Sequence, residues 1–274
     1  MQHTKKHPYH IVSLSIWPVS VSFSLLLVAF SFVMLIHHYH YFISKVIVII
    51  GVICLFYSLF NWWRDVIKEA MVEKRHTKEV QHGIRVGMVL FILSEIAFFA
   101  VFFSSFFYSK LFPVGIIDEI WVVKEGVWPY GGIKTVDPWS IPFLNTLILL
   151  LSGTTVTWAH YAITENNQKD AVNALGYTIL LGIFFTLMQI FEYIHIPFKF
   201  SDGIYASNFY MATGIHGVHV IIGSIFLSVC YFRAKAGHFQ KPNSHLSFEF
   251  AAWYWHFVDV VWLFLFVFVY VLGK

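Results

Sequence analysis

One carboxyl group lies deep within an apolar stretch of this sequence and is the first candidate for chemistry. Glu95 comes ten residues after Arg85, and its neighbours from Phe91 to Phe99 are apolar apart from Ser94. In a helix, ten residues rise about 15 Å, which would place Glu95 near the middle of the hydrocarbon core of a bilayer. A carboxyl at that depth is either a proton carrier or a neutral acid that hydrogen-bonds to a neighbouring helix. The residue types alone leave both interpretations open.

Two further pairs of ionisable residues have a spacing of three, which places both members of a pair on one face of a helix. Metal ligation would need three or four ligands from converging elements, whereas paired histidines in membranes more often hydrogen-bond between helices. The sequence contains no nucleophile and base pair, no phosphate-binding glycine loop and no CxxC or CxxCH motif, so it predicts no catalytic, metal or cofactor site in this chain. We therefore interpret the two pairs as a buried polar network, made of His216, His219, His256 and Asp259. Four other residues lie towards the ends of apolar runs, where contact with water is expected: His160, Glu192, His195 and Glu249.

The composition is that of a membrane protein. Of the 274 residues, 58% are hydrophobic and only 12% are charged, with a mean hydropathy of +0.69. So little charge cannot cover the surface of a soluble globular enzyme, and that class is excluded. The formal charge of +3 is spread thinly along the chain, which excludes nucleic acid as a partner. The two cysteines, Cys54 and Cys230, lie in apolar runs and are interpreted as buried small side chains rather than as a disulfide.

Seven segments have the roughly 20 apolar residues that a spanning helix needs, so the sequence predicts an all-α membrane protein. The stretch 62–83 is charged and has no Pro or Gly before Gly83, so we expect it to continue as helix beyond the membrane surface. The stretch 108–140 is rich in Pro and Gly and is expected to be an irregular loop. Residues 1–15 form an amino-terminal segment. The predicted spans are 16–36, 42–61, 84–107, 141–163, 171–195, 207–232 and 247–272.

The distribution of Lys and Arg predicts how the chain is oriented. Eleven of these cations fall on the side of the amino terminus and five on the other side, when the spans are taken to alternate. Because the positive-inside rule places the richer side inward, the amino terminus should face the cytoplasm or the mitochondrial matrix. The carboxy terminus should then face the periplasm or the intermembrane space.

Several motifs in order resemble one known family. They are HPYH at 7–10, NWWRDV at 61–66, TWAH at 157–160, GIHGVHVIIG at 214–223 and AWYWHFVDVVW at 252–262. The last two blocks are long enough to be highly specific. Together they resemble subunit III of haem-copper cytochrome c oxidase, of the bacterial and mitochondrial type, over nearly the whole chain.

The resemblance implies a V of seven helices, in which a two-helix bundle over 16–83 and a five-helix bundle over 84–274 hold phospholipids in a cleft. It implies that haem a and copper reside in the partner subunits I and II, that cytochrome c is the substrate of the whole complex, and that subunit III sustains proton uptake and turnover stability. By the same resemblance, Glu95 matches the family's carbodiimide-reactive carboxyl and acts as a structural and lipid-contact residue. The lipid headgroup region maps onto Trp63, His76 and Arg233.

Two other functions fit the sequence less well. A stand-alone transporter would use Glu95, Glu192 and the paired histidines as an ion path and would show flux without partners. Subunit III of a related quinol oxidase is closer in kind, but that version usually lacks the first two spans, and both are present here.

Overall fold

The computed structural model describes residues 9–73, 75–112, 128, 129, 133–240 and 245–273. Within these residues all regular structure is helical, and seven helices are long and apolar enough to cross a membrane. The predicted all-α fold of seven spanning helices is therefore confirmed. The helices are α1 (Trp17–Ile36), α2 (Tyr41–Met71), α3 (Lys78–Leu111), α4 (Ile141–Thr164), α5 (Gln168–His195), α6 (Ile204–Lys235) and α7 (Leu246–Leu265), which continues as a π-helix over Phe266–Val271.

The charged stretch 62–83 is helical over 62–71 and 78–83. Thr77 caps the start of α3, because the backbone N–H of Val80 donates to its hydroxyl oxygen over 3.3 Å. The expectation that helix continues beyond the apolar span is confirmed. Of the amino-terminal segment 1–15, residues 1–8 lie outside the described residues, and so does most of the expected loop 108–140.

The residues Met1–Ile84 form one compact unit, in which α1 packs against α2. The hydroxyl oxygens of Ser20 and Ser58 are 2.6 Å apart and join the two helices, and the indole N–H of Trp17 donates to Asp65 over 2.7 Å. Small hydroxyl side chains allow close approach of helices in a membrane, where packing and hydrogen bonds replace the hydrophobic effect as the force that holds helices together.

The residues Arg85–Lys274 form a second compact unit, whose core consists of buried residues from α3, α4, α5, α6 and α7. Trp255 and Trp262 are fully buried, and their indole N–H groups donate to the hydroxyl oxygens of Ser152 and Thr146 on α4, each over 2.9 Å. Both hydroxyls donate in turn to a carbonyl of α4 itself. An indole can only donate, so these serine and threonine side chains satisfy it and fix α7 against α4 at two levels.

Candidate functional site

Glu95 and His219, which the sequence singled out separately, contact each other in the structure. α3 positions Glu95 and α6 positions His219, so that Glu95 Oε2 lies 2.8 Å from His219 Nε2. The Glu95 side chain is 21% exposed and the His219 side chain is 11% exposed. The ring of Phe99 packs on the imidazole at a centroid distance of 5.0 Å, and the ring of Tyr254 stacks on it at 6.3 Å. The mid-membrane carboxyl is thus held by a neighbouring helix within an aromatic surround.

The other nitrogen of His219 determines how protons are arranged in this pair. His219 Nδ1 lies 2.8 Å from the carbonyl oxygen of Ile215, and because a carbonyl can only accept, Nδ1 must carry a hydrogen. Nε2 then either accepts a hydrogen bond from a neutral Glu95 acid or, as part of an imidazolium, donates one to a Glu95 carboxylate. Both states have zero net charge, which avoids the large cost of an uncompensated charge in a membrane.

His216 bonds to a different helix. Its Nε2 lies 3.1 Å from the carbonyl oxygen of Val258 on α7 and therefore donates to it. His216 Nδ1 is buried and has no hydrogen-bond partner within the part of the chain that the structure describes. The imidazole is thus arranged as the neutral tautomer protonated at Nε2, and the two histidines connect α6 to α7 and to α3 separately.

His256 is on the surface of its unit, so the prediction that it is buried is wrong, although its Nε2 lies 3.4 Å from the hydroxyl oxygen of Thr157 on α4. Its side chain is 47% exposed, whereas that of Asp259 is only 9% exposed, and His256 Nδ1 lies 3.7 Å from Asp259 Oδ2. His256 lies on the same outward face of α7 as Val260 and Phe264, which are both 51% exposed, at helical spacings of four. The rotation of the helix about its axis, which residue types do not give, decides this exposure.

Glu192 is buried, at 2% exposure, so the expectation that it contacts water is wrong. The hydroxyl of Tyr270, in the π-helical end of α7, donates to Glu192 Oε1 over 2.7 Å. The amide of Gln189 lies 3.4 Å from the same oxygen, and Asn145 on α4 donates to Gln189 over 3.3 Å. The sequence analysis missed this network of α4, α5 and the end of α7, although two amides within apolar runs were a signal for it.

Charged residues at helix ends are also paired. Arg85, near the start of α3, forms an ion pair of 3.1 Å with Glu249 in the first turn of α7. Their side chains are 39% and 24% exposed, so the pair contributes at most about 1 kcal/mol to stability. Its position nevertheless connects α3 to α7 at the same end of the unit.

The three residues expected to contact lipid headgroups are distributed between the two units. Trp63 on α2 is 63% exposed, and His76 lies in the turn between α2 and α3. Arg233 is in the last turn of α6, where its guanidinium donates to the hydroxyl of Ser247 and lies 5.0 Å from the centre of the Phe239 ring.

One group of potential metal ligands occurs within the described residues. His10, Glu69 and His76 each offer one ligand atom, and these atoms all lie within 4.8 Å of one another. The sequence analysis predicted no metal site and did not bring these residues together, because they come from three separate segments with no motif spacing.

Seven helices able to cross a membrane, with ionisable groups at depth that are paired with one another or with the backbone, define an integral membrane protein of many spans. The family model described as "Cytochrome c oxidase subunit III" matches residues 7–274. The chain therefore belongs to the cytochrome c oxidase subunit III family.

Individual relatives agree with the family match. The "Probable cytochrome c oxidase subunit 3" of Rickettsia felis is 65% identical over 272 residues, covering 99% of this chain and 97% of the relative. The "Cytochrome c oxidase subunit 3" of Prototheca wickerhamii is 52% identical over 269 residues, covering 98% and 99%. That of Arabidopsis thaliana is 50% identical over 273 residues, covering 100% and 99%. These matches include α1 and α2, the two spans that the quinol oxidase version usually lacks.

Proposed function

We propose that this chain is a non-catalytic subunit of a proton-pumping cytochrome c oxidase and that it supports the subunits that carry out the chemistry. In this proposal subunits I and II hold haem a and copper, cytochrome c supplies electrons to the complex, and this chain holds no redox cofactor. The family match over residues 7–274 supports the place of this chain in the oxidase, and the contact of 2.8 Å between Glu95 and His219 carries the structural role that we propose for it.

That contact supports a structural role for the mid-membrane carboxyl. A proton relay needs a carboxyl that exchanges its proton with successive partners along a path. Glu95 instead meets one imidazole, whose other nitrogen is already engaged by the Ile215 carbonyl of its own helix. The pair connects α3 to α6, in the same way that the indoles of α7 connect that helix to α4.

Lipid binding is the second part of the proposal. Trp63 has an exposed indole, and indoles prefer the headgroup region of a membrane. The guanidinium of Arg233 is a cation and the imidazole of His76 is a hydrogen-bond donor, and both kinds of group bind phosphate. The V-shaped arrangement with phospholipid in its cleft stays a prediction from the family. We further propose that the amino terminus faces the cytoplasm or the matrix, because Arg64 and Lys68 near the end of α2 and Arg75 after it belong to the more basic side.

The experiment compares the oxidase with and without this chain. Enzyme is purified both ways, and oxygen consumption with reduced cytochrome c is followed through many turnovers, together with the rate of proton uptake. We expect equal haem and copper content in both preparations, with faster loss of activity and slower proton uptake when the chain is removed. Adding the chain back should restore both.

Two results would contradict the proposal. Equal loss of activity with and without the chain would show that it does not sustain turnover. Haem or copper that leaves the enzyme together with this chain would show that it is not free of redox cofactors.

A further inference from the structure

Three separate segments of the first unit converge on one point. His10 lies in the segment before α1, Glu69 lies in the last turn of α2, and His76 lies in the turn between α2 and α3. One imidazole nitrogen from each histidine and one carboxylate oxygen lie within 4.8 Å of one another. The two imidazole rings are 5.8 Å apart between their centres and are tilted by 54°. The rings are therefore tilted and not stacked.

The backbone around His76 is fixed by hydrogen bonds. The N–H of Arg75 donates to the carbonyl of Glu69 over 3.1 Å, and the side-chain amide of Gln81 donates to the carbonyl of His76 over 3.1 Å. The adjacent cation Arg75 is paired with Glu73 at 2.6 Å. The turn thus presents His76 to Glu69 from a constrained position, and the neighbouring Arg75 is paired with another carboxylate.

The environment of His10 suits ligation. His10 Nε2 is buried and has no hydrogen-bond partner within the described residues, and a buried polar nitrogen gains stability from a partner. A neutral imidazole binds a metal through such a nitrogen.

We propose that His10, Glu69 and His76 bind a zinc ion. Two imidazoles and one carboxylate are ligands that suit zinc, whereas Mg²⁺ and Ca²⁺ prefer sites made of oxygen alone. In a tetrahedral zinc site with bonds of about 2.0–2.1 Å, ligand atoms lie roughly 3.3 Å apart, so the observed group needs to contract by only about 1.5 Å. Three protein ligands leave a fourth position for water.

A zinc ion here would join the segment before α1 to the α2–α3 turn. It would give His10 Nε2 a partner and cross-link His10 to Glu69 and His76, which lie 59 and 66 residues further along the chain. Its role would be structural. His76 would bind zinc through one ring nitrogen and keep the other for the proposed lipid headgroup contact, so Trp63→Ala and Arg233→Ala, which leave the three ligands in place, should not weaken Zn²⁺ binding.

The test measures Zn²⁺ binding to the purified full chain in detergent after removal of metals with a chelator. Zn²⁺ is titrated against a chromogenic competitor, and the metal content is counted by mass spectrometry after dialysis. We expect one Zn²⁺ per chain, and at least tenfold weaker binding in each of the variants His10→Ala, Glu69→Gln and His76→Asn. Zn²⁺ should also raise the thermal unfolding temperature of the unaltered chain but not of the variants, and Mg²⁺ should have no effect.

His82→Ala is the matched control, because His82 is an exposed histidine on the first turns of α3 and does not belong to the group. The chain has 15 histidines, so adventitious binding would be lowered by the control as much as by the ligand variants. That result, or unchanged binding in all three ligand variants, would overturn the proposal. Glu69→Gln keeps the shape of the side chain and decides the question if a histidine variant does not fold.

Discussion

Breaking the contact between Glu95 and His219 should cost the chain a measurable part of its stability. Glu95→Leu removes one partner and leaves His219 Nε2 without a hydrogen bond, while Nδ1 keeps the Ile215 carbonyl. Leaving a buried polar atom unpaired costs about 1–3 kcal/mol. Because both side chains keep some exposure, 21% and 11%, we expect the lower part of that range, about 1–2 kcal/mol.

A double-mutant cycle isolates the contact itself. His219→Leu should cost a similar amount, since it leaves the Glu95 carboxyl alone in an apolar surround. The double variant leaves neither partner unpaired, so its cost should be smaller than the sum of the two single costs. Interhelical hydrogen bonds in membranes give coupling energies of about 0.6 kcal/mol on average and up to about 1.7 kcal/mol. We expect a value in the upper half of that range.

The assay is unfolding of the purified full chain in mixed micelles as the fraction of denaturing detergent rises, followed by circular dichroism. Glu95→Gln is the control, because its amide can still donate to His219 Nε2, and it should remain within about 0.5 kcal/mol of the unaltered chain. If the cost of the double variant equals the sum of the two single costs within about 0.3–0.5 kcal/mol, the two side chains are not coupled and the prediction is refuted. A Gln variant as unstable as the Leu variant would show that a neutral donor at position 95 cannot replace the carboxyl in the hydrogen bond to His219 Nε2.

Three further predictions concern the packing and the lipid contacts. Gly182→Ala would place a Cβ 2.7 Å from Trp255 Cη2 and 2.8 Å from Ser224 Oγ, so it should destabilise the chain by about 1–3 kcal/mol in the same unfolding assay. Gly217→Ala, which meets nothing within 4 Å, should leave stability unchanged or slightly raised, and equal effects at the two glycines would contradict the packing. Tyr270→Phe removes the donor that lies 2.7 Å from buried Glu192 and should cost about 1–3 kcal/mol, whereas an unchanged unfolding midpoint would show that the network does not hold α5 to the end of α7. Trp63→Ala combined with Arg233→Ala should reduce the phospholipid that co-purifies with the oxidase, counted by mass spectrometry, and an unchanged lipid count would remove these residues from the proposed lipid contacts.

The helices could be predicted from the sequence because a membrane imposes a simple requirement. Every backbone polar group in the hydrocarbon must be satisfied within the span, so each long apolar run has to be a helix. The continuation of helix at both ends of 62–83 was predictable for a related reason, since that stretch has no residue that breaks a helix before Gly83.

The side-chain partners could not be predicted in the same way. Glu95 and His219 are 124 residues apart, and nothing in either run indicates which helices are neighbours. The burial of Glu192 and the exposure of His256 depend on the rotation of α5 and α7 about their axes, which an apolar run of nearly uniform residues leaves undetermined. A span that faces lipid on one side and protein on the other is apolar on both sides. The sequence of such a helix is therefore only weakly amphipathic and does not indicate which side is buried.

The most direct test of the proposed role is proton pumping by an oxidase that carries Glu95→Gln. The measurement is the number of protons released per electron by the whole oxidase in reconstituted vesicles, with cytochrome c as the electron donor. Glutamine keeps the shape of the side chain and a donor for His219 but cannot ionise, so it preserves a structural contact and abolishes a relay. The proposed supporting role predicts an unchanged ratio of protons to electrons. A collapse of that ratio in a normally assembled complex would show that Glu95 carries protons and that this chain takes part in pumping itself.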